Sequence, residues 1–221
     1  MISCVLFDFD GTLTRRDTTR LYLRSFARVR PLRTLFALPH IVAILKAGPE
    51  PAAIQSAKFR LLGALRKGLS ARALREIHRL YAEQANRILR PDVLNAMRSH
   101  SLAGHCVLVV TASARDAVEA VFENEQVTVM GTEFAADAGR ETGELDGLAC
   151  YGENKRILLK QWAAQKGGGI DFIEAWSDSI EDIPMMSMAT RRCWVCPPAD
   201  PDQVAQFDAD PVIIDGSQTA P

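Results

Sequence analysis

The chain has 221 residues, of which 48% are hydrophobic, and its formal net charge is -1. This length and composition suit one globular domain with a sizeable insertion, or two small domains, and they provide for an ordinary core. The near-neutral charge argues against a nucleic-acid-binding protein, because such proteins usually carry a clear basic excess. The five cysteines form no compact framework, so we expect free thiols in a reducing compartment.

The N-terminus runs directly into an apolar segment and then into acidic residues, unlike a signal peptide, and no apolar run reaches transmembrane length. We therefore expect a cytoplasmic protein. Cys193 and Cys196 have the CxxC spacing of some zinc and redox sites. Because no second pair or histidine cluster accompanies them, a strand that contains two thiols is the preferred interpretation.

Short apolar runs alternate with helical patterns along most of the chain. Continuous apolar runs are typical of buried parallel strands, and three spaced glycines among polar residues predict a β-hairpin within residues 131–150. The predicted strands are residues 2–7, 106–110, 127–130, 172–176 and 193–196. The predicted helices are residues 17–29, 52–65, 70–89, 92–100, 114–124, 153–165 and 180–188.

This order of elements predicts an α/β fold, a doubly wound, Rossmann-like parallel sheet with an inserted helical cap. Residues 15–88 show helical patterns and no convincing strand, so they form the predicted cap. Residues 1–14 and 89–221 form the predicted core. The segment after Pro197 is weakly specified, and either an extra edge strand near residues 212–214 or a mobile tail fits it.

The most apolar part of the predicted cap is residues 32–45, which Arg33, Pro39 and His40 interrupt. Two interpretations are open, a buried cap helix and a segment that touches a membrane surface. Arginines are dense between residues 15 and 33. They favour anionic lipid, or they form the solvated face of an amphipathic helix.

Polar residues occur where the predicted strands end. Open α/β sheets bind ligands outside the carboxyl ends of their strands, so residues that are distant in sequence are expected to meet there. Turns and helix caps are the structural alternatives for the aspartates and hydroxyl residues, and a solvated helix lysine is the alternative for Lys155. The residues are Asp8 and Asp10 after the first strand, Thr111, Ala112 and Ser113 after the second, Asp178 and Asp182 after the fourth, and Lys155 at a helix start.

This combination of side chains suits phosphoryl transfer. Asp8 can attack phosphorus and form an aspartyl phosphate, which water then hydrolyses. Asp10 can protonate the leaving oxygen and later deprotonate the water. Clustered carboxylates need a cation, and Asp8, Asp178 and the backbone carbonyl of Asp10 offer hard oxygen ligands for Mg²⁺.

The remaining candidates bind phosphate or support its binding. Lys155 can offset the charge of the nucleophile and the phosphate. The Thr111 hydroxyl and loop amides such as that of Ala112 can bind phosphate oxygens. Asp182 can hold Lys155 or a water on the metal. Asp17 and Ser113 are further candidates for contact with the substrate.

The order and spacing of these residues resemble the four motifs of the haloacid dehalogenase superfamily. The match covers about residues 2–198 and implies a phosphatase, because the dehalogenase pattern lacks the second aspartate. A helical insertion directly after the first motif implies the helical-cap subclass IB, as in phosphoserine phosphatase. The motifs are Asp8-Phe9-Asp10-Gly11-Thr12, Val109-Val110-Thr111-Ala112-Ser113, Gly152-Glu153-Asn154-Lys155 and Ser177-Asp178-Ser179-Ile180-Glu181-Asp182.

The resemblance leaves the substrate open. Asp17 stands where phosphoserine phosphatases carry a substrate-contacting glutamate. Arg30-Pro31-Leu32 and the apolar run that follows look more like the C-type bacterial phosphatidylglycerophosphatases, whose apolar cap segment is associated with the membrane. The expected partner is thus a phosphorylated small molecule or a lipid head group, with peripheral contact on the inner face of the membrane in the second case. A phosphoryl transferase is a further alternative.

Overall fold

The structure, a computed structural model, describes residues 1–195 and 210–212. Its eight strands are β1 (Ile2–Phe7), β2 (Cys106–Ala114), β3 (Thr128–Thr132), β4 (Phe134–Asp137), β5 (Arg140–Leu145), β6 (Ile170–Ser177), β7 (Arg191–Val195) and β8 (Asp210–Val212). Its helices are α1 (Thr19–Val29), α2 (Pro31–Phe36), α3 (Leu38–Leu45), α4 (Pro51–Arg66), α5 (Ala71–Asn86), α6 (Pro91–Leu102), α7 (Arg115–Val121), α8 (Glu153–Gln165) and α9 (Ile183–Met186). An irregular helical turn covers Phe9–Leu13, and a single 3₁₀ turn covers Ile180–Asp182.

Six parallel strands form the central sheet in the order β3-β2-β1-β6-β7-β8. One face packs against α6 and α7, and the other packs against α8 and α9. The chain moves outward from β1 to β3 and then returns to β6 on the other side of β1. This reversal makes the carboxyl end of β1 and β6 a topological switch point, where open α/β sheets bind ligands.

The predicted doubly wound sheet and the hairpin, β4–β5, are confirmed. The observed strand ends differ from the predicted ones by a few residues, and β2 extends to Ala114. The edge strand near the C-terminus lies at Asp210–Val212, two residues earlier than the alternative that we considered. Cys196, the second thiol of the CxxC pair, lies outside the described residues.

The helices α1–α5 form the cap, and the two chain segments that lead to them lie side by side. Thr14 and Leu89 form an isolated antiparallel bridge. The Arg15 N–H donates to the Ile88 carbonyl at 2.9 Å, and the Arg90 N–H donates to the Leu13 carbonyl at 2.8 Å. The cap therefore joins the core through a paired linker, while its division from the core at residues 14 and 89 stays a prediction.

Residues 32–45 were predicted as one apolar segment, but α2 and α3 are separate helices. Pro39 interrupts the apolar run in the sequence, but Pro31 and Pro39 both stand in the first turn of a helix, where the missing N–H of proline costs nothing. The interpretation of residues 32–45 as a buried helix is wrong, because Leu32 is 71% exposed and Phe36 and Leu45 are each 81% exposed. Among the described residues, every helix is too short or too polar to cross a bilayer.

A buried arginine ties the cap to the core. Arg66, at the end of α4, donates two hydrogen bonds to Asp116 of α7 and two to Glu141 of β5. It also donates to the Tyr22 hydroxyl at 2.9 Å, and its guanidinium lies 4.6 Å from the centre of the Phe134 ring. Removing one partner of a buried ion pair leaves the other charges uncompensated, so this contact matters for stability.

We therefore predict that Arg66→Met lowers the free energy of unfolding by about 3 kcal/mol, because two carboxylates lose their buried partner. Urea unfolding followed by circular dichroism measures the change. Arg79→Met is the control, since Arg79 pairs with Glu83 on the exposed face of α5, and exposed pairs contribute less than about 1 kcal/mol. Equal small losses in both variants would contradict the assigned role of Arg66.

Candidate active site

A buried lysine links β1 to the loop after β6. Asp8 directly follows β1, and its backbone N–H donates to the Trp176 carbonyl at 2.9 Å. Lys155, in the first turn of α8 and 2% exposed, donates from Nζ to Asp8 Oδ1 at 2.7 Å. The same Nζ lies 2.6 Å from Asp182 Oδ1. One cation thus serves two carboxylates that are far apart in sequence.

At this contact one positive charge, on Lys155, faces the carboxylates of Asp8 and Asp182. Burial raises the pKa of Asp8 well above its ordinary value, although Lys155 opposes that shift. Burial alone would lower the pKa of Lys155, but the charges of Asp182 and Asp8 outweigh it and raise that pKa. Asp182 is held from its other side by the Ser177 hydroxyl, which donates to Oδ2 at 2.7 Å.

Asp178 lies against the turn that follows Asp8. The Thr12 hydroxyl donates to Asp178 Oδ1 at 2.9 Å, and the Asp178 N–H donates to Thr12 Oγ1 at 3.0 Å. Gly11 has a φ of +90°, and a Cβ added there would lie 2.0 Å from Asp178 Oδ2. Only glycine leaves room for this carboxylate beside the Asp10–Gly11 backbone. Burial raises the pKa of Asp178 to about 6.

Asp10 is held by the cap and by the core together. Its Oδ1 accepts hydrogen bonds from the Thr18 N–H at 2.7 Å and from the Thr18 hydroxyl at 2.6 Å. Its Oδ2 accepts from the Ser113 hydroxyl at 2.6 Å. Burial and the nearby charge of Asp17 raise the pKa of Asp10, and the Ser113 and Thr18 hydrogen bonds oppose that shift.

The end of β2 supplies the other predicted phosphate-binding residues. Thr111 is fully buried, and its Oγ1 accepts from the Ser113 N–H at 3.0 Å. The Ala112 carbonyl accepts from the Thr132 hydroxyl at 2.8 Å. Hydrogen bonds connect Ser113 to Asp10, so the structure brings the carboxyl ends of β1 and β2 together as expected. The roles of Thr111, Ala112 and Ser113 toward phosphate stay predictions.

Asp17 lies at the cap side of this site. It forms an ion pair with Lys58 of α4, and its Oδ1 accepts from the Thr19 N–H at 2.7 Å. Although burial opposes the shift, Lys58 and Thr19 lower the pKa of Asp17. The Asp17 side chain is 47% exposed, which leaves it accessible to a ligand.

Several residues that contact the site were not predicted from the sequence. Thr12 belongs to the first motif, so its spacing from Asp8 could have drawn attention to it. The others have no sequence signal, because only the tertiary structure brings them to the site. They are Thr18, which binds Asp10; Tyr81, whose hydroxyl lies 2.7 Å from Thr18 Oγ1; Lys58, which pairs with Asp17; and Arg90, which donates to the Gly11 carbonyl at 3.2 Å.

The donor set fits a hard divalent cation. Among the described side chains, no three His, Cys, Asp or Glu residues are arranged to hold a metal ion. The predicted set needs only two carboxylates, Asp8 and Asp178, with a backbone carbonyl at Asp10. Asp178 packs against Gly11, and its charge contributes to the raised pKa of Asp8. Carboxylate and carbonyl oxygens are hard ligands of the kind that Mg²⁺ prefers.

Comparison with known proteins gives the family. The family model described as haloacid dehalogenase-like hydrolase matches residues 5–187. The chain belongs to the haloacid dehalogenase-like hydrolases. The match contains Asp8, Asp10, Thr111, Lys155, Asp178 and Asp182, the residues on which the predicted resemblance rested.

Curated relatives of this hydrolase include proteins named as phosphatases. A probable phosphatase of Mycobacterium tuberculosis is 33% identical over 96 residues, which are 43% of this chain and only 33% of that protein's length. A phosphoserine phosphatase of the same organism is 25% identical over 90% of this chain and 66% of its own. The histidinol-phosphatase of Neisseria meningitidis is 28% identical over 71% of this chain and 72% of its own.

Solved structures share the fold. A protein of unknown function from Bordetella pertussis superposes with a TM-score of 0.76 at 22% identity, covering 93% of this chain and 95% of its own. A substrate-bound phosphoserine phosphatase superposes with a TM-score of 0.61 at 19% identity, covering 95% and 92%. At these identities the likeness shows that this hydrolase has the same capped α/β fold.

We predict that Gly11→Ala destabilises the hydrolase more than Gly104→Ala does. Both glycines have positive φ, but only Gly11 would place a Cβ against another group, the Asp178 carboxylate. Backbone strain costs about 1 kcal/mol at either position, and the overlap at Gly11 adds about 1–3 kcal/mol. Thermal or urea unfolding measures both variants. Equal losses would mean that Asp178 does not pack against this turn.

Proposed function

We propose that the protein is a Mg²⁺-dependent phosphomonoesterase that works through an aspartyl phosphate on Asp8. The observation that carries the proposal is the buried Asp8 carboxylate, bound through one oxygen to Lys155 at the switch point of the sheet. Asp10, two residues along the chain, supplies a second carboxyl with a raised pKa. A nucleophile and an acid–base group are therefore present at the same end of β1.

In the first step, Asp8 attacks the phosphorus atom of the substrate. Lys155 donates a hydrogen bond to Asp8 Oδ1. The attacking atom is therefore Asp8 Oδ2, which forms the new O–P bond. The bond between phosphorus and the leaving oxygen breaks, and Asp10 transfers its proton to that oxygen. The raised pKa of Asp10 favours the protonated form that this transfer requires.

In the second step, water attacks the aspartyl phosphate. Asp10, now ionised, accepts a proton from the water, and the O–P bond to Asp8 breaks to release inorganic phosphate. Throughout both steps, Lys155 offsets the negative charge on Asp8 and on the phosphoryl oxygens. The Thr111 hydroxyl and the Ala112 amide are the proposed donors to those oxygens.

The residues that would hold Mg²⁺ are Asp8 and Asp178 through their carboxylates and Asp10 through its carbonyl. When bound, the ion supplies positive charge that offsets the crowded carboxylates and the substrate phosphate. Thr12 orients Asp178 for this purpose through two hydrogen bonds. Asp182 acts on the other side of the site, where it holds Lys155.

We expect Asp8→Asn to abolish hydrolysis of p-nitrophenyl phosphate in the presence of Mg²⁺, because the amide cannot form the phosphoryl ester. Asp10→Asn is expected to lower kcat by about 10²–10⁴-fold, because the water that hydrolyses the aspartyl phosphate loses its general base. Asp137→Asn is the control, since Asp137 lies exposed at the hairpin tip.

Release of phosphate and mass spectrometry of acid-quenched enzyme measure the activity and the phosphorylated Asp8. Chelation of Mg²⁺ with EDTA should remove the activity, and addition of excess Mg²⁺ should restore the activity. Full activity of Asp8→Asn would contradict the nucleophile assignment. Faster transfer to an added alcohol than to water would instead indicate a phosphoryl transferase.

The cap side of the site favours a substrate with polar or charged groups beside its phosphate. Asp17 and Lys58 form an ion pair close enough to Asp10 for the charge of Asp17 to raise its pKa. We propose that this pair contacts the part of the substrate beyond the phosphate. Relatives named phosphoserine phosphatase and histidinol-phosphatase support a small phosphorylated metabolite.

One surface of the cap favours a lipid phosphate instead. We call this the α2–α3 surface; it consists of Leu32, Leu35, Phe36, Leu38, Val42 and Leu45, which are 44–81% exposed. Exposed basic residues flank it, among them Arg28, Arg30 and Lys46. Large apolar side chains with basic neighbours match the interface of an anionic membrane. We propose that the α2–α3 surface makes peripheral contact with such a membrane on its cytoplasmic face.

Flotation with phosphatidylglycerol vesicles tests this contact. We predict that the double variant Phe36→Asp with Leu45→Asp binds the vesicles at least about tenfold more weakly, because two apolar side chains no longer leave water. Leu102→Asp is the control, since Leu102 is 90% exposed on the core. If the wild type does not bind but hydrolyses a soluble phosphate quickly, the small-metabolite alternative stands and the membrane contact is wrong.

A further inference from the structure

The hydrogen bonds on Asp10 have a direction that can be worked out. Thr18 Oγ1 lies 2.6 Å from Asp10 Oδ1 and 2.7 Å from the Tyr81 hydroxyl. Asp10 Oδ1 also accepts from the Thr18 N–H, so the proton of the acid form belongs on Oδ2, and Oδ1 accepts the single proton of the Thr18 hydroxyl. The Tyr81 hydroxyl must then donate to Thr18. The result is a directed chain from Tyr81 to Thr18 to Asp10.

The chain begins in the interior of the cap. Tyr81 belongs to α5 and is 1% exposed, and Thr18, just before α1, is also 1% exposed. Water therefore has little access to replace either donor. A buried tyrosine hydroxyl needs a partner, and this one directs its hydrogen bond to the residue that holds the acid–base carboxyl.

Aromatic packing fixes the position of the Tyr81 ring. Tyr22 of α1 packs edge-on against it, with ring centres 5.3 Å apart and planes at 81°. The Tyr22 hydroxyl takes no part in the chain, since it accepts from Arg66 at 2.9 Å and lies 3.0 Å from His78 Nε2. Two neighbouring buried tyrosines thus differ in where their hydroxyls point, and only Tyr81 reaches toward Asp10.

We propose that Tyr81 is a positioning residue of the reaction, and that its hydroxyl acts through Thr18 to hold the Asp10 carboxyl where it can transfer a proton to the leaving oxygen. This inference rests on the proposed phosphatase function. It also gives the cap a chemical role, because Asp10 keeps its orientation only while α1 and α5 pack as they do here. Proton-transfer catalysis depends on such placement, since the acid must lie within hydrogen-bond reach of the oxygen.

Tyr81→Phe tests the proposal by removing one hydroxyl and keeping the ring. The measured quantity is kcat/KM for p-nitrophenyl phosphate, whose leaving group needs little protonation, and for phenyl phosphate, whose leaving group needs more. We expect kcat/KM for phenyl phosphate to fall by about tenfold and that for p-nitrophenyl phosphate to stay within about twofold, because a misplaced acid affects the poorer leaving group more.

Tyr22→Phe is the matched control, because it removes an equally buried hydroxyl that does not reach Thr18. It is expected to affect stability without changing the ratio of the two kcat/KM values. Thr18→Val, which removes the connecting hydroxyl, should reproduce the Tyr81→Phe pattern, while Thr18→Ser should preserve wild-type ratios. Adding Tyr81→Phe to Thr18→Val should then change the ratio no further, since both act through one chain.

Equal losses on both substrates in Tyr81→Phe would overturn the proposal, and so would the same pattern in Tyr22→Phe. A Tyr81→Phe protein that does not fold would also overturn it, because the hydroxyl would then serve the fold. These outcomes are separate from failure of the proposed function, which Asp8→Asn reports. An inactive Asp8→Asn with unchanged ratios in Tyr81→Phe would remove only the role of Tyr81.

Discussion

The site depends on one buried cluster of charges, in which Lys155 contacts both Asp8 and Asp182. Lys155 reaches from α8 to Asp8, which follows β1, and to Asp182, which lies beyond β6. A single side chain therefore links the two sides of the topological switch point. Burial of three charges is costly, and removing the lysine would leave two carboxylates without a partner. With Asp178 also present, the local charge stays negative. This imbalance is what makes the turn after β1 suited to a cation.

Much of this arrangement could be predicted from the sequence, for a physical reason. Parallel strands bring their carboxyl ends to one edge, so Asp8, Ser113 and Asp178 had to lie near one another once the strands were recognised. The hydrogen bond from Ser113 to Asp10 joins two such strand ends. Lys155 lies in a helix, so its ion pair was expected from the motif that contains it and not from the strands. For the strand ends the chain order of the strands was sufficient, because the backbone determines where those ends meet.

Other contacts could not be predicted, because they depend on how helices pack. Nothing around Tyr81 distinguishes a hydroxyl that reaches Thr18 from a tyrosine that only fills the core, since the apolar spacing of α5 is the same in both cases. The predicted burial of residues 32–45 is wrong for a related reason. An apolar helix is buried only where another element covers it, and Leu32 and Phe36 face no such element among the described residues.

In the proposed mechanism, the start of α1 places catalysis and specificity on a single turn of chain. Thr18 faces inward and holds Asp10 with its N–H and its hydroxyl, whereas the adjacent Asp17 is half-exposed and pairs with Lys58. A backbone shift that moved Asp17 would therefore also move the Thr18 donors and, with them, the Asp10 carboxyl. Lys58 reaches this pair only through its side chain, from α4. Changes to the substrate contact proposed for this pair are consequently less constrained at Lys58 than at Asp17.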